Sequence, residues 1–197
     1  MFLQTAVLGR LGAASIAANS IAASLFSVIS VVAYGSGNAS SVYIGKTVGE
    51  GDMVKLREAT RTLQIIFLLI GLLSGGMIYL LKDFIIAVYN VSEATQALAH
   101  QFITVLSITV VGSAYQAPAL TGIVRGGGHT KFVFYNDLIF MWGIVLPVSF
   151  LGAFVWKLNP VIVFFFLKSD QLMKCIVAAF EVNSYRWVRK LTRDNAA

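Results

Sequence analysis

The sequence predicts an all-α protein, a polytopic bundle of membrane-spanning helices. Residues 11–45, 62–81 and 138–156 contain no Asp, Glu, Lys, Arg or His, and residues 94–124 contain only one His. A helix needs about 20 apolar residues to cross the hydrocarbon core of a bilayer. Apolar residues make up 57% of the chain and charged residues 12%, with a mean hydropathy of +0.79. Soluble domains carry about twice that share of charge.

The apolar runs divide the chain into five predicted helices joined by short connections. The first boundary is a Gly-rich turn at 45–52, and the second lies at 82–90, where the apolar pattern stops. Three glycines at 126–128 separate the third helix from the fourth, and a Leu-Asn-Pro sequence at 158–160 separates the fourth from the fifth. The predicted spans are residues 12–46, 54–82, 91–124, 129–156 and 160–190.

We treat residues 1–197 as a single bundle, the size of one helical domain. Residues 1–8 are too short to span a membrane and lack the charged start of a signal peptide. We expect this stretch to be the end of a longer helix whose upstream part is absent from the chain.

Short connections make neighbouring helices antiparallel, so successive loops alternate between the two membrane faces. Three basic residues fall on one side, Arg10, Lys82 and Lys157. Ten fall on the other: Lys46, Lys55, Arg57, Arg61, Arg125, Lys131, Arg186, Arg189, Lys190 and Arg193. The positive-inside rule places the richer side, with the carboxyl terminus, in the cytoplasm. The net charge of +6 therefore indicates topology and contact with anionic lipid, not nucleic-acid binding.

Two asparagines in the first helix are candidate cavity residues. Asn19 and Asn38 lie among small Ala, Ser and Gly residues that let helices pack closely. A buried amide without a partner costs on the order of a few kcal/mol, so each must find a hydrogen bond or water. The sequence leaves open whether they line a polar cavity or bond between helices.

Prolines and glycines mark candidate hinges or kinks. Pro118, beside Gln116, lies inside the third helix, and Pro147 lies inside the fourth. Proline removes one backbone hydrogen bond and crowds the preceding turn, so each site predicts a break, either static or moving. Gly35 and Gly37 are the candidate flexible points of the first helix. Gln116 and Pro118 complete the candidate substrate cavity.

Charged residues within the spans are the strongest candidates for function, since each is costly in lipid. Asp137 lies early in the fourth helix. It reaches headgroup water or pairs with Lys131, or else it has a functional role within the membrane. Lys168, Asp170 and Lys174 fall in the last helix, and the spacing of Asp170 and Lys174 predicts an ion pair. This group is either a structural pair with snorkelling lysines or a polar wall facing the bundle interior.

Enzymatic chemistry has no support in the sequence. It contains no HExxH, Walker or EF-hand pattern, and the glycine run at 126–128 lacks the flanking residues of a phosphate loop. Cys175 is the only cysteine, which rules out an intramolecular disulfide. We therefore predict no catalytic residue, no metal ligand set and no cofactor.

One block of sequence resembles the carboxyl-terminal half of MATE (multidrug and toxic-compound extrusion) transporters. It runs from Tyr115 through Gln-Ala-Pro-Ala-Leu-Thr-Gly-Ile-Val-Arg-Gly-Gly-Gly-His-Thr-Lys-Phe and is followed by Asp137, Trp142 and Leu146-Pro147. The Gly-rich region ending in Gly-Glu-Gly-Asp at 49–52 and the terminal segment 183–193 add to the resemblance. The resemblance implies two lobes of six helices, of which this chain supplies the end of helix seven and helices eight to twelve, and cation-for-drug exchange by alternating access.

Two positions depart from the pattern of this family. Many members carry a cation-binding carboxylate in helix ten, where the matching residue is Ala114, and the usual Asp of the glycine block is His129. The resemblance therefore implies that coupling by Na⁺ or H⁺ rests largely on the amino-terminal lobe, which this chain lacks.

The predicted function is secondary active transport, the export of apolar or cationic organic compounds by cation antiport across the cell membrane. The expected partners are the lipid bilayer, the substrate, and either the missing lobe or a second copy of the chain. Two alternatives stay open at this point. One is a non-transporting fragment or accessory membrane subunit, and the other is a lipid-linked saccharide flippase of the same superfamily.

Overall fold

The computed structural model describes residues 7–189 and forms an α-helical bundle with no strand in that range. Its five long helices are α1 (Ala13–Glu50), α2 (Met53–Val88), α3 (Glu93–Val124), α4 (Thr130–Val155) and α5 (Pro160–Ser184). The predicted all-α bundle is confirmed. The last part of the predicted fifth span, and with it Lys190 and Arg193, lies outside the described residues.

Four of these helices, α1 to α4, are long and apolar enough to cross a membrane. Helix α5 is not in this group because Lys168, Asp170 and Lys174 interrupt its apolar sequence. Its 25 residues still measure about 37 Å at 1.5 Å per residue, which exceeds the hydrocarbon thickness. The crossing of α5 stays a prediction.

The positions of the helix ends are set by local capping residues more than by the first charged residue after an apolar run. Gly51 adopts a left-handed conformation (φ 74°) that ends α1, and the Asp52 carboxylate accepts hydrogen bonds from the backbone N–H groups of Val54 and Lys55, both at 3.0 Å. The predicted end of the second helix at Lys82 is wrong, since α2 continues to Val88. Lys82 ends an apolar run, but lysine is a good helix former and does not end a helix.

Two helices change from α-helical to π-helical hydrogen bonding near their prolines. In α3 the change follows Pro118, and residues Ala119–Val124 form a π-helical segment. In α4 the five-residue segment Leu146–Phe150, which contains Pro147, lies between π-helical segments at Ile139–Val145 and Leu151–Val155. π-Helical bonding thus adjoins the segments that contain both prolines, and the predicted kinks stay predictions. Their movement stays a prediction.

Helix α3 is the centre of the bundle, and it packs against α1, α2 and α5. Close approach of α1 requires glycine, because a Cβ on Gly122 would lie 2.8 Å from the Gly37 carbonyl oxygen. Helix α1 stays α-helical through Gly35 and Gly37, so the structure shows no break at these candidate hinges. Gly37 instead provides room for the backbone of Pro118.

The outer surface of the bundle is apolar. Leu73 and Leu80 of α2 are 73% and 81% exposed, and Phe180 of α5 is 76% exposed. Soluble monomers rarely expose contiguous apolar surface on this scale. Together with the span-length helices, this surface makes the protein an integral membrane protein.

Three segments rich in basic residues meet at one end of the bundle. The Arg57 guanidinium lies 5.6 Å from the centre of the Tyr185 ring, which connects the start of α2 with the segment after α5. The Arg189 backbone N–H donates to the Gly127 carbonyl at 3.0 Å, which adds the loop between α3 and α4. The alternation of loops inferred from the sequence therefore matches the packing of residues 7–189.

Candidate functional site

A partly open cavity of about 200 Å³ lies between α1, α3, α4 and α5. Both apolar and polar side chains line it, which is unusual for the interior of a membrane bundle. The lining residues are Phe26, Ile29, Ser30, Ala33 and Tyr34 from α1, Ser113, Ala114, Gln116, Ala117, Leu120 and Thr121 from α3, Val133 and Asp137 from α4, and Gln171 and Lys174 from α5.

Lys174 is the central charged residue of the cavity. Its side chain is only 8% exposed, and its Nζ lies 2.9 Å from Asp137 Oδ1 and 3.5 Å from Asp170 Oδ2. One ammonium group is therefore shared by two carboxylates, one from α4 and one from its own helix. A buried charge must be paired in this way because its transfer from water to the interior costs several kcal/mol.

The two carboxylates differ in environment. The Asp137 side chain is 60% exposed in the chain alone, whereas that of Asp170 is 10% exposed. The Asp170–Lys174 pair predicted from their spacing is present. The suggested Asp137–Lys131 pair is wrong. Residues six positions apart point about 120° away from each other around a helix, and α5 provides Lys174 as the partner instead.

A carboxamide pair connects α3 with α5 on the same cavity wall. The Gln116 Nε2 group donates to Gln171 Oε1 at 3.2 Å. Gln116 is buried, so this bond satisfies part of a side chain that would otherwise be costly in the bundle interior. Nearby, the Thr121 hydroxyl donates to the Ala117 carbonyl at 2.6 Å, within the stretch that Pro118 interrupts.

Lys168 is held by aromatic rings. Its Nζ lies 4.8 Å from the centre of the Phe26 ring and 5.8 Å from that of Phe164. Within residues 7–189 no carboxylate oxygen lies within 4.0 Å of this ammonium. Cation–π contact therefore accommodates the Lys168 charge. This contact lies beside the cavity, since Phe26 is one of the cavity residues.

A second polar pair joins α4 to α5 near one end of the bundle. His129, the residue before α4, has its Nδ1 3.0 Å from Glu181 Oε1. The His129 side chain is only 22% exposed. The helix pair α4–α5 is thus connected by polar contacts at Asp137 and at His129.

The structure brings only some of the predicted cavity residues together. Gln116 lines the cavity, whereas Asn19, Asn38 and Pro118 do not. Asn19 is half-buried and Asn38 is exposed on α1, so any substrate contact by Asn38 would be made outside this cavity. Their roles stay predictions.

Most of the cavity residues were not singled out from the sequence, and Tyr34 and Gln171 are two polar examples. Gln171 lies one turn before Lys174, and this spacing places both residues on one face of α5. The spacing could therefore have indicated Gln171 as a cavity residue. Tyr34 has no comparable signal, because small residues surround it on all sides of α1. Ala114, the departure noted in the sequence, lines the same cavity as Asp137.

The arrangement supplies polar and charged groups inside an apolar bundle. Across residues 7–189, no three His, Cys, Asp or Glu side chains come together as a metal site. Intramembrane charges that face a cavity are characteristic of pathways for ions and substrates.

Comparison with known proteins gives concordant matches. The family model MatE matches residues 1–151. A probable multidrug resistance protein NorM of Photorhabdus laumondii is 31% identical over 143 residues, 73% of this chain and 31% of that protein. The multidrug resistance protein MdtK of Pectobacterium atrosepticum is 26% identical over 150 residues, 76% of this chain and 33% of that protein.

A third relative, the multidrug resistance protein PmpM of Pseudomonas aeruginosa, is 28% identical over 155 residues, 78% of this chain and 32% of that protein. The chain thus spans about a third of the length of the curated relatives it matches. No solved structure matches the chain.

Proposed function

Because this chain belongs to the MATE family of transporters, we propose that it forms the carboxyl-terminal lobe of a cation-coupled antiporter. The antiporter exports drugs or other organic compounds across the cell membrane. The lobe works with a second one, which is either an amino-terminal lobe or another copy of this chain.

The observation that carries this proposal is the polar cavity within the family's helical bundle. A purely structural membrane subunit has no need for Lys174, Asp137 and Gln116 around a common cavity, because the buried Lys174 and Gln116 each cost free energy to bury. A transporter lobe uses such groups for binding and for changes of state.

Alternating access is the proposed mechanism. The lobe rocks as a unit against its partner, and the π-helical segments next to Pro118 and Pro147 give α3 and α4 places to bend. The coupling ion is Na⁺ or H⁺, and its main site lies in the amino-terminal lobe.

The substrate is proposed to bind between the lobes. At about 200 Å³ the internal cavity is below the range of about 300 to 1,000 Å³ of drug-sized sites. The exposed Asn38 on α1 fits a position on the interface that faces the second lobe. An apolar surface with few fixed charges favours apolar or weakly cationic organic compounds.

The proposed orientation places the basic end of the bundle, with the carboxyl terminus, in the cytoplasm. A lipid-linked saccharide flippase is less well supported, because its diphosphate substrate calls for free cationic groups. The buried Lys174 is already paired with two carboxylates, and Lys168 is a single ammonium held over the rings of Phe26 and Phe164.

The proposal is tested by expressing the complete gene that encodes this chain in bacteria lacking their own drug efflux pumps. We expect lower accumulation of ethidium, and loss of that effect when the membrane potential and ion gradients are collapsed. At equal membrane expression, Asn38→Ala and Pro118→Ala should each weaken efflux. Unchanged accumulation with the native gene, at verified expression, would overturn the proposed function.

A control variant separates the effect of these two positions from a general effect of substitution. Leu80→Ala, at an exposed position on the outer face of α2, serves as the control and should leave efflux unchanged. Unchanged efflux for both Asn38→Ala and Pro118→Ala would remove these residues from the substrate path.

A further inference from the structure

We propose that the groove between α2, α3 and α5 is a binding site for one molecule of phosphatidylethanolamine. One acyl chain lies in the groove, the Lys82 ammonium binds the lipid phosphate, and the Asp83 carboxylate binds the ethanolamine ammonium. This lipid site is separate from the cavity described above, and it does not depend on the proposed export activity.

The groove has the size and lining of a site for a hydrocarbon chain. It measures about 790 Å³, within the range of about 300 to 1,000 Å³ of small-molecule sites. Its lining residues are Leu72, Gly75, Gly76 and Tyr79 from α2, Ser107, Ile108, Val111 and Gly112 from α3, and Leu172, Cys175 and Ile176 from α5. The Ser107 hydroxyl already donates to the Thr104 carbonyl at 2.7 Å, so the surface offered to a ligand is mainly apolar.

Glycine residues keep this groove open. A Cβ on the buried Gly75 would lie 2.5 Å from the Ser107 carbonyl oxygen, and a Cβ on the buried Gly112 would lie 2.8 Å from the Gln171 carbonyl oxygen, so the three helices are in close contact beneath the groove. A Cβ on the exposed Gly76, in contrast, would meet no atom within 4 Å. In a bilayer the walls of such a groove gain van der Waals partners only when a hydrocarbon chain fills it.

The groove lies within one leaflet of the bilayer. Residues 62–81 contain no Asp, Glu, Lys, Arg or His and measure about 30 Å, the thickness of the hydrocarbon core. Arg61 and Lys82 bound this stretch, so they lie at the two headgroup levels. From Leu72 to Tyr79 the groove runs about 10 Å along α2 and ends one turn before Lys82. A chain in the groove therefore belongs to a lipid whose headgroup lies beside Lys82, in the outer leaflet of the proposed orientation.

Lys82 is placed to bind the phosphate of this lipid. Its Nζ lies 4.3 Å from the centre of the Tyr79 ring, so a groove residue holds the ammonium at the upper end of the groove. Within residues 7–189 no carboxylate oxygen lies within 4.0 Å of this ammonium. A lipid phosphate supplies an anionic partner for it.

Asp83 selects the rest of the headgroup. Its side chain is 74% exposed, and its Oδ1 lies 3.3 Å from His100 Nδ1 on α3. A carboxylate accepts up to about four hydrogen bonds, so Asp83 can accept more from a ligand. The primary ammonium of ethanolamine donates such bonds, whereas the quaternary ammonium of choline has no N–H group. Phosphatidylglycerol brings no positive charge to Asp83. Phosphatidylethanolamine thus matches both charges at the end of the groove.

The test is native mass spectrometry of the purified chain in detergent, titrated with phosphatidylethanolamine, phosphatidylglycerol or phosphatidylcholine that carry identical acyl chains. We expect one phosphatidylethanolamine molecule to be retained. Its affinity should exceed that of the other two lipids about tenfold, as expected for one additional charge-assisted contact.

Two charge variants separate the headgroup contacts. Asp83→Asn should remove the preference, so that the three lipids bind with similar affinity. Lys82→Gln should lower the affinity for all three about tenfold, because each of them carries the phosphate. Lys157→Gln is the matched control, since Lys157 is an exposed lysine at the same end of the bundle that does not line the groove. It should bind lipid like the native chain.

A second pair of variants tests the groove itself. Gly76→Leu places a side chain in the open space of the groove, so the affinity for phosphatidylethanolamine should fall about tenfold as the acyl chain loses buried apolar contact. Gly143→Leu is the matched control, at an exposed glycine of α4 whose Cβ would also meet no atom within 4 Å. Should Gly76→Leu not fold by size-exclusion chromatography, Asp83→Asn decides, because that exposed substitution leaves the packing of the groove unchanged.

The headgroup preference is the result that an apolar surface alone does not give. The proposal is overturned if the native chain retains no lipid or binds the three lipids equally. It is also overturned by an unchanged preference in Asp83→Asn, or by native-like binding in folded Gly76→Leu. Binding in detergent requires no transport, so a failure of drug efflux in cells overturns the proposed function and leaves this result intact.

Discussion

Gln116 of α3 donates a hydrogen bond to Gln171 of α5 across 3.2 Å, at the wall of the internal cavity. The two residues are 55 positions apart in the chain, and each is the other's side-chain partner within residues 7–189. The bond fixes the distance between the central helix and the helix that carries Lys174. The geometry of the charged cluster therefore depends on an uncharged pair.

The first prediction concerns this pair. Gln116→Leu should lower the free energy of unfolding by about 1 to 3 kcal/mol, because it leaves the half-buried Gln171 carboxamide without its partner on α3. The double variant Gln116→Leu/Gln171→Leu should recover most of that loss, since both polar groups are then removed. Thermal unfolding in detergent measures both, and additive losses in the double variant would contradict a direct interaction.

The arrangement of this site was only partly predictable from the sequence. The Asp170–Lys174 pair follows from helical spacing, which is a local property. The Asp137–Lys174 pair depends on how α4 and α5 pack, and no spacing within one helix contains that information. For the same reason Lys131 was the wrong partner for Asp137.

The helices were predictable because the bilayer imposes a length and a composition on every span. The orientation of α1 was not, since its Ala, Ser and Gly residues are spread around the whole helix and define no apolar stripe. Asn38 was therefore placed in a cavity from its polarity alone, whereas the structure exposes it. The lengths of the π-helical segments near Pro118 and Pro147 could likewise not be predicted, because the missing N–H group of a proline does not specify how far the altered hydrogen bonding extends.

The second prediction concerns the contact between α2 and α3. A Cβ on Gly75 would lie 2.5 Å from the Ser107 carbonyl oxygen, whereas a Cβ on the adjacent Gly76 would meet no atom within 4 Å. Gly75→Ala should therefore destabilise the bundle by about 1 to 3 kcal/mol through overpacking. Gly76→Ala is the matched control, and it should be neutral or stabilise by up to about 1 kcal/mol through helix propensity.

Thermal unfolding of these two variants in the same detergent gives the comparison. Equal stability of both variants would show that α2 and α3 are not in close contact at Gly75.

The third prediction concerns the segment after α5. Trp187 is fully buried against the loop between α3 and α4, and its Nε1 donates to the Val182 carbonyl at 2.9 Å. Trp187→Ala should destabilise the bundle by about 3 to 5 kcal/mol, as expected for loss of a buried aromatic side chain. Trp156→Ala, at a position 56% exposed, should have a much smaller effect.

Fluorescence quenching provides an independent readout of the same burial. A membrane-embedded quencher attached to lipid should affect Trp142 and Trp156, which are exposed, far more than Trp187. Similar quenching of single-tryptophan variants at positions 156 and 187 would contradict the packing of Trp187.

The fourth prediction concerns membrane topology. Cys175, which lies in an apolar groove between α2, α3 and α5, is first replaced by Ala to give a background without thiols. Single cysteines then replace Lys55 and Arg125 at the basic end and Ser92 and Lys157 at the other end, all at exposed positions. A membrane-impermeant maleimide applied to intact cells should label positions 92 and 157, and positions 55 and 125 only after permeabilisation.

This pattern follows because the loops after α1 and α3 lie at one end of an antiparallel bundle and carry most of its positive charge. The reverse pattern, with 55 and 125 labelled in intact cells, would contradict the cytoplasmic assignment but keep the bundle. Labelling of 55 and 125 from opposite sides would contradict the bundle itself, because the segment that contains Arg125 and the one that contains Arg57 both contact residues 185–189.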